Sequence, residues 1–165
     1  MNVPVDSYSK KGSNLKNLFD PTMVGQVKSR LSNLEPQTER RWGKMTAAQM
    51  LAHCSVSMQW AVGEVVPESG TASARLLGRL VKPMVFRNDD PLRKNSPTAK
   101  SLIVADVRDL TEERSRLSGL IERFAAGGTA ACTKNPHPFF GALTPEQWAI
   151  LMYKHLDHHL RQFGV

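Results

Sequence analysis

Cysteine is nearly absent: the two in the chain, Cys54 and Cys132, exclude a disulfide framework. They also lack the paired spacing of a zinc ribbon or a CxxC redox pair, and Cys54, inside an amphipathic helix pattern, reads as a small buried thiol. Aromatic residues are scarce at 7%, and Phe86 alone falls within the most basic segment, so a base-stacking surface is poorly supplied. The longest unbroken apolar run, Trp148 to Tyr153, is far short of the roughly 20 residues that cross a bilayer, which excludes a membrane-spanning helix. Residues 1–11 contain no apolar stretch of the kind a secretory signal needs, and the expected location is the cytoplasm. There is no P-loop, no Gly-rich dinucleotide motif, no GxSxG elbow and no HExxH, because position 156 is Leu. Internal repeats and low-complexity tracts are also missing.

What remains is the composition of a soluble globular domain, with 41% hydrophobic and 22% charged residues over 165 positions. That length suits one hydrophobic core. The polar stretch 1–19 is expected to fray or to wrap the outside, leaving 20–165 as a single domain. The net charge is +7, of which Arg75 to Lys100 supplies +5 through seven basic residues against Asp89 and Asp90. Such a strip reads first as a solvated basic loop and second as a surface facing phosphate or carboxylate.

Helical periodicity organises the rest. Asp20-Pro21 gives an N-cap and a proline at N1, and Val24, Val27, Leu31 and Leu34 recur at three- and four-residue intervals, predicting a first helix over 21–34. Thr46-Ala47-Ala48-Gln49 is a capping box that opens a second helix, expected to reach about Val65. A weaker pattern through Leu76, Leu77, Leu80 and Val81 is expected to stop at Pro83, followed by an irregular connector to Pro97. Residues 101–105 read as an extended segment packed on helices, since a lone strand has no partner. Thr111 is the expected cap of a third main helix over 112–126, ended by Gly127-Gly128. Thr144-Pro145-Glu146-Gln147 is a second capping box, opening a fourth helix over 145–163. The expected fold is all-α, a four-helix bundle with a long irregular crossover between helices two and three.

Three of the five histidines fall in Lys154-His155-Leu156-Asp157-His158-His159. At about 100° per residue, His155 and His159 lie about 40° apart, on a stripe with Trp148, Leu151, Met152 and Gln162, while Lys154, Asp157 and Arg161 point away. Imidazoles at i and i+4 can bind one metal ion without backbone strain. His158 sits about 60° to the side. On the second helix, His53 shares a stripe with Met50, Ser57 and Trp60 and is free to meet the pair across the bundle. Three neutral imidazoles would leave open positions on a metal, and Gln162 could orient a ligand from behind. A lone i, i+4 histidine pair is more often a set of satisfied or solvated rings than a metal site, and His53 on the facing stripe is what favours the metal. His137, ahead of the last helix, reads as a loop or capping residue. No carboxylate is placed to act as a general base, since Glu64 lies about 16 Å along the helix from His53.

Two blocks carry a family likeness: Trp42-Gly43-Lys44-Met45-Thr46-Ala47-Ala48-Gln49-Met50-Leu51-Ala52-His53, and His137-Pro138-Phe139-Phe140-Gly141 running on through Trp148 to the segment from Lys154 to Phe163. Together they resemble an uncharacterised bacterial family of the DinB/YfiT-like superfamily of predicted metalloenzymes. The resemblance covers most of 18–165 and is weakest over 69–130. It implies a four-helix bundle with up-down-down-up connectivity, a homodimer in many members, and a divalent metal held by one histidine of the second helix and two of an HxxxH on the last. Those positions are His53, His155 and His159 here. Relatives of that superfamily include metal-dependent transferases that activate low-molecular-weight thiols, a thiol-dependent isomerase, and hydrolases. The implied cofactors are a divalent ion such as zinc or nickel and a low-molecular-weight thiol, and the implied partner is a small anionic or electrophilic substrate. A non-catalytic stress or nucleic-acid-associated module is the competing reading. It is disfavoured by the scarcity of aromatics, so neither nucleic acid nor a membrane is an expected partner.

Overall fold

The computed structural model describes residues 15–165. It contains five α-helices, α1 Pro21–Ser32, α2 Ala47–Val62, α3 Ala72–Val85, α4 Leu110–Gly127 and α5 Pro145–Gln162, with 3₁₀ turns at Lys100–Leu102 and Gly128–Ala130. Among the described residues there is no strand, only an isolated bridge between His137 and Gly141. The fold is therefore all-α. α1 packs on α4 and α5, and α2 packs on the same two helices, so the four surround a common core.

Local chemistry sets the starts of these helices. Asp20 accepts from the Thr22 amide, and Pro21 sits where its missing N–H costs nothing. Thr46 with Gln49, and Thr144 with Gln147, each form the reciprocal capping box, satisfying two amides that the helix itself cannot. The core between the helices includes Val27, Leu31, Leu51, Met58, Leu117, Ile121, Phe124 and Leu156, all at most 1% exposed. Each large apolar side chain buried in this way contributes roughly 1.5–3 kcal/mol. Ahead of α1, Leu18 is fully buried and its amide bonds the Ala149 carbonyl, while Phe19 stacks on Phe124 at 5.2 Å. Of the segment expected to fray, residues 1–14 lie outside the described residues.

Several boundaries differ from the sequence expectation. α1 ends at Ser32, although Leu34 beyond it is still buried, and α2 ends at Val62 with Gly63 as its cap. α4 starts at Leu110 because Asp109, and not Thr111, accepts from the Glu112 amide. α5 ends at Gln162, with Phe163 as its cap. The crossover is not wholly irregular, since α3 runs through Pro83 to Val85. A proline in the last turn forfeits a single helical bond, and the Phe86 amide still reaches the Lys82 carbonyl. The stretch expected to be extended begins instead as the 3₁₀ turn at Lys100–Leu102, with Ile103 exposed.

α5 corrects a facing assignment. Lys154 and Asp157, expected to point outward, are 4% and 8% exposed. The Lys154 ammonium donates to the Val85 and Asp90 carbonyls at 2.8 and 3.0 Å. Asp157 accepts from Arg30 and Arg161, each at 2.7 Å. Only Arg161 of the three is exposed. With α1 and α2 on one side and the crossover on the other, both faces of α5 are covered.

Candidate metal centre

α2 and α5 bring His53, His155 and His159 together. Their Nε2 atoms converge, with His53 and His159 at 2.9 and 3.2 Å from His155, and one ligand atom from each ring lies within 4.8 Å of the others. His53 and His159 are buried, and His155 is the partly exposed member.

The outward-facing nitrogens decide what the inward-facing ones carry. His53 Nδ1 lies 2.8 Å from the Leu102 carbonyl, which can only accept, so the proton of the neutral ring is on Nδ1. His155 Nδ1 lies 3.0 Å from Ser57 Oγ, and that hydroxyl already donates to the Cys54 carbonyl, so it accepts from the ring. His159 Nδ1 lies 2.8 Å from Gln162 Oε1, whose amide nitrogen donates to the Trp42 carbonyl at 2.7 Å. All three Nε2 atoms are then bare lone pairs, and the short contacts between them are not hydrogen bonds. Burial resists protonation as a remedy. It holds His53 below the ordinary imidazole value, His155 well below it, and His159 down to about 3, with the neighbouring rings adding to the shift.

Three convergent buried acceptors with no donor between them call for a cation. The donor set fits a borderline divalent metal, since nitrogens on a tetrahedral zinc at its usual bond length stand roughly 3.3 Å apart. The three rings could hold one such ion. Their Nδ1 partners, a backbone carbonyl, a serine and a glutamine, form the orienting shell that ligating histidines ordinarily have.

The loop before α2 is shaped by this shell. Gly43 has φ +79°, and a Cβ there would run into the Gln162 amide nitrogen, so the Trp42 carbonyl reaches Gln162 only with glycine following it. His158 stays outside the cluster: its Nδ1 faces the Leu92 carbonyl at 3.2 Å, and its ring packs on His159 and Trp42. His137 is not a member of it, accepting at Nδ1 from the Phe139 and Phe140 amides and packing on Trp60 and Trp148. Both tryptophans are thus buried core around His137. Glu64 pairs with Arg123 at the far end of α2. Sequence reading placed Ser57 on the His53 stripe without giving it a role. It missed Leu102, because any residue offers a carbonyl and nothing in a side-chain pattern announces which one will be used.

The fold and the cluster define an all-helical protein with a tri-histidine cluster suited to a metal ion. Residues 16–164 match the family model described as a protein of unknown function, DUF1569, and the chain belongs to that family. No curated protein and no solved structure matches it.

Proposed function

We propose that this protein is a divalent-metal-dependent enzyme of the DinB/YfiT-like kind, in which α1, α2, α4 and α5 form an up-down-down-up four-helix bundle and His53, His155 and His159 are the metal ligands. The observation that carries this reading is the convergence of three unprotonated Nε2 atoms with each Nδ1 proton committed elsewhere. A zinc or nickel ion held there supplies Lewis acidity, enough to make a thiol or water nucleophilic at neutral pH. The chain's own part is to hold the rings neutral and aimed. Leu102, Ser57 and Gln162 fix the three tautomers, and burial keeps protons from competing for the lone pairs.

All three Nδ1 partners are uncharged oxygens, so no carboxylate within the shell offsets the ion's charge. That favours an anionic ligand such as a thiolate, and with it transfer of a low-molecular-weight thiol to an electrophile.

Elemental analysis by plasma mass spectrometry tests the reading on untagged protein dialysed without chelator, wild type beside His155→Ala. The expected result is one divalent ion per wild-type chain and none in the variant. A wild type that stays metal-free after equilibration with zinc or nickel would sink it.

A further inference from the structure

A cleft of about 220 Å³ opens beside the histidine cluster, lined by Arg41, Trp42, Leu92, Lys94, His158 and Arg161. No carboxylate lines it. Lys94 is exposed, has no acidic partner within ion-pair distance among the described residues, and rests its ammonium 4.3 Å from the centre of the Trp42 ring. The Arg41 guanidinium reaches only the Gly164 carbonyl, at 3.5 Å. Arg161 is paired with Asp157, but the same carboxylate also takes Arg30, so Arg161 holds its acidic partner only in part.

The cleft and the cluster share parts. The His158 ring packs edge-on against His159 with centroids 5.0 Å apart, and on its other side it meets Trp42 at 5.7 Å. The Trp42 carbonyl is also the anchor of Gln162, the partner of His159. A second basic cleft, between Arg75, Arg79, Lys82 and the loop at Phe140, touches no member of the cluster, and its Lys82 ammonium is engaged by the Ala142 carbonyl.

We infer that the cleft formed by Arg41, Lys94, Arg161 and His158 binds an oxyanion, a carboxylate or phosphate, and seats the charged end of the substrate beside the metal centre. Guanidinium and ammonium donors are the usual recognition chemistry for both groups, and Trp42 with Leu92 gives a short apolar body a wall to lie against. Only the word substrate rests on the enzymatic reading; the anion site stands on its own residues.

Calorimetric titration of inorganic phosphate and, separately, acetate into the full chain tests this, with ionic strength held constant by chloride. Lys94→Met, Arg41→Gln and chelator-stripped wild type are run beside the untreated protein, and thermal melts by circular dichroism verify folding of the variants. Saturable one-to-one binding of either anion is expected, weakened roughly fivefold in each variant, the size of one partly exposed ion pair, and retained after stripping. The anion that binds more tightly names the head group. Failure of both anions to saturate, or affinities unchanged in both variants, would overturn the inference. Anion binding in a chain that never takes up metal removes only the metalloenzyme reading, and metal uptake without anion binding removes only this one.

Discussion

Gln162 is held at both ends of its amide, by the Trp42 carbonyl at 2.7 Å and by His159 Nδ1 at 2.8 Å, and its orientation leaves His159 no choice of tautomer. With the nitrogen committed to a carbonyl that can only accept, Oε1 must face the ring, and the ring must donate. Gln162→Leu removes that acceptor and frees the imidazole to turn or to place its proton on Nε2. Loss of such an orienting partner ordinarily lowers metal affinity about 10- to 100-fold. Competition against a chromophoric chelator is expected to show that drop for zinc, beside a lower melting temperature of the stripped protein because the Trp42 carbonyl and the His159 N–H lose their partner. An affinity equal to wild type would mean that Gln162 only ties the loop before α2 to α5.

Much of this site was legible because helix geometry is periodic. The faces carrying His53, His155 and His159 follow from residue spacing alone, and the two capping boxes fixed where α2 and α5 begin. Packing partners do not follow from spacing. The weaker pattern through Leu76, Leu77 and Leu80 predicted a helix, yet those side chains are more than half exposed and the buried position of α3 is Gly78. Lys154 and Asp157 looked like surface residues and are buried, because carbonyls from the crossover and an arginine of α1 meet them. A periodic pattern states which residues share a face but not what lies opposite it, and contacts from distant segments leave no local mark.

α3 gives a direct test of that distinction. A Cβ at Gly78 would collide with the Phe139 carbonyl oxygen, a backbone atom of the loop that leads into α5. Alanine in a helix interior gains up to about 1 kcal/mol over glycine, whereas forced overpacking costs about 1–3 kcal/mol, so the collision decides the sign. Urea denaturation of Gly78→Ala is expected to show a net loss of roughly 1–2 kcal/mol. Leu80, two residues on and 68% exposed, makes the contrast: Leu80→Ser should lie within about 0.5 kcal/mol of wild type. Reversed effects would place the packed side of α3 on its leucines.

His137 supplies a pH dependence separate from the metal. Burial among Trp60, Phe140 and Trp148 pushes its imidazole down to about 4, and Nδ1 is already an acceptor for two amides, a role the protonated ring cannot fill. In the unfolded chain the ring takes its ordinary value near 6.5. A pKa depressed by folding contributes stability that is fully present above the unfolded value and is lost as pH falls from about 6.5 toward 4. The buried ring's share is about 2–3 kcal/mol. His137→Asn keeps an acceptor for the loop amides but does not titrate in that range. Urea denaturation of chelator-stripped protein between pH 7 and pH 4 is therefore expected to fall more steeply for wild type than for the variant, by about that amount. The other buried histidines are present in both proteins, and His155 feels His137 only weakly beside its own burial, so parallel profiles would show that His137 is as readily protonated in the fold as in the unfolded chain.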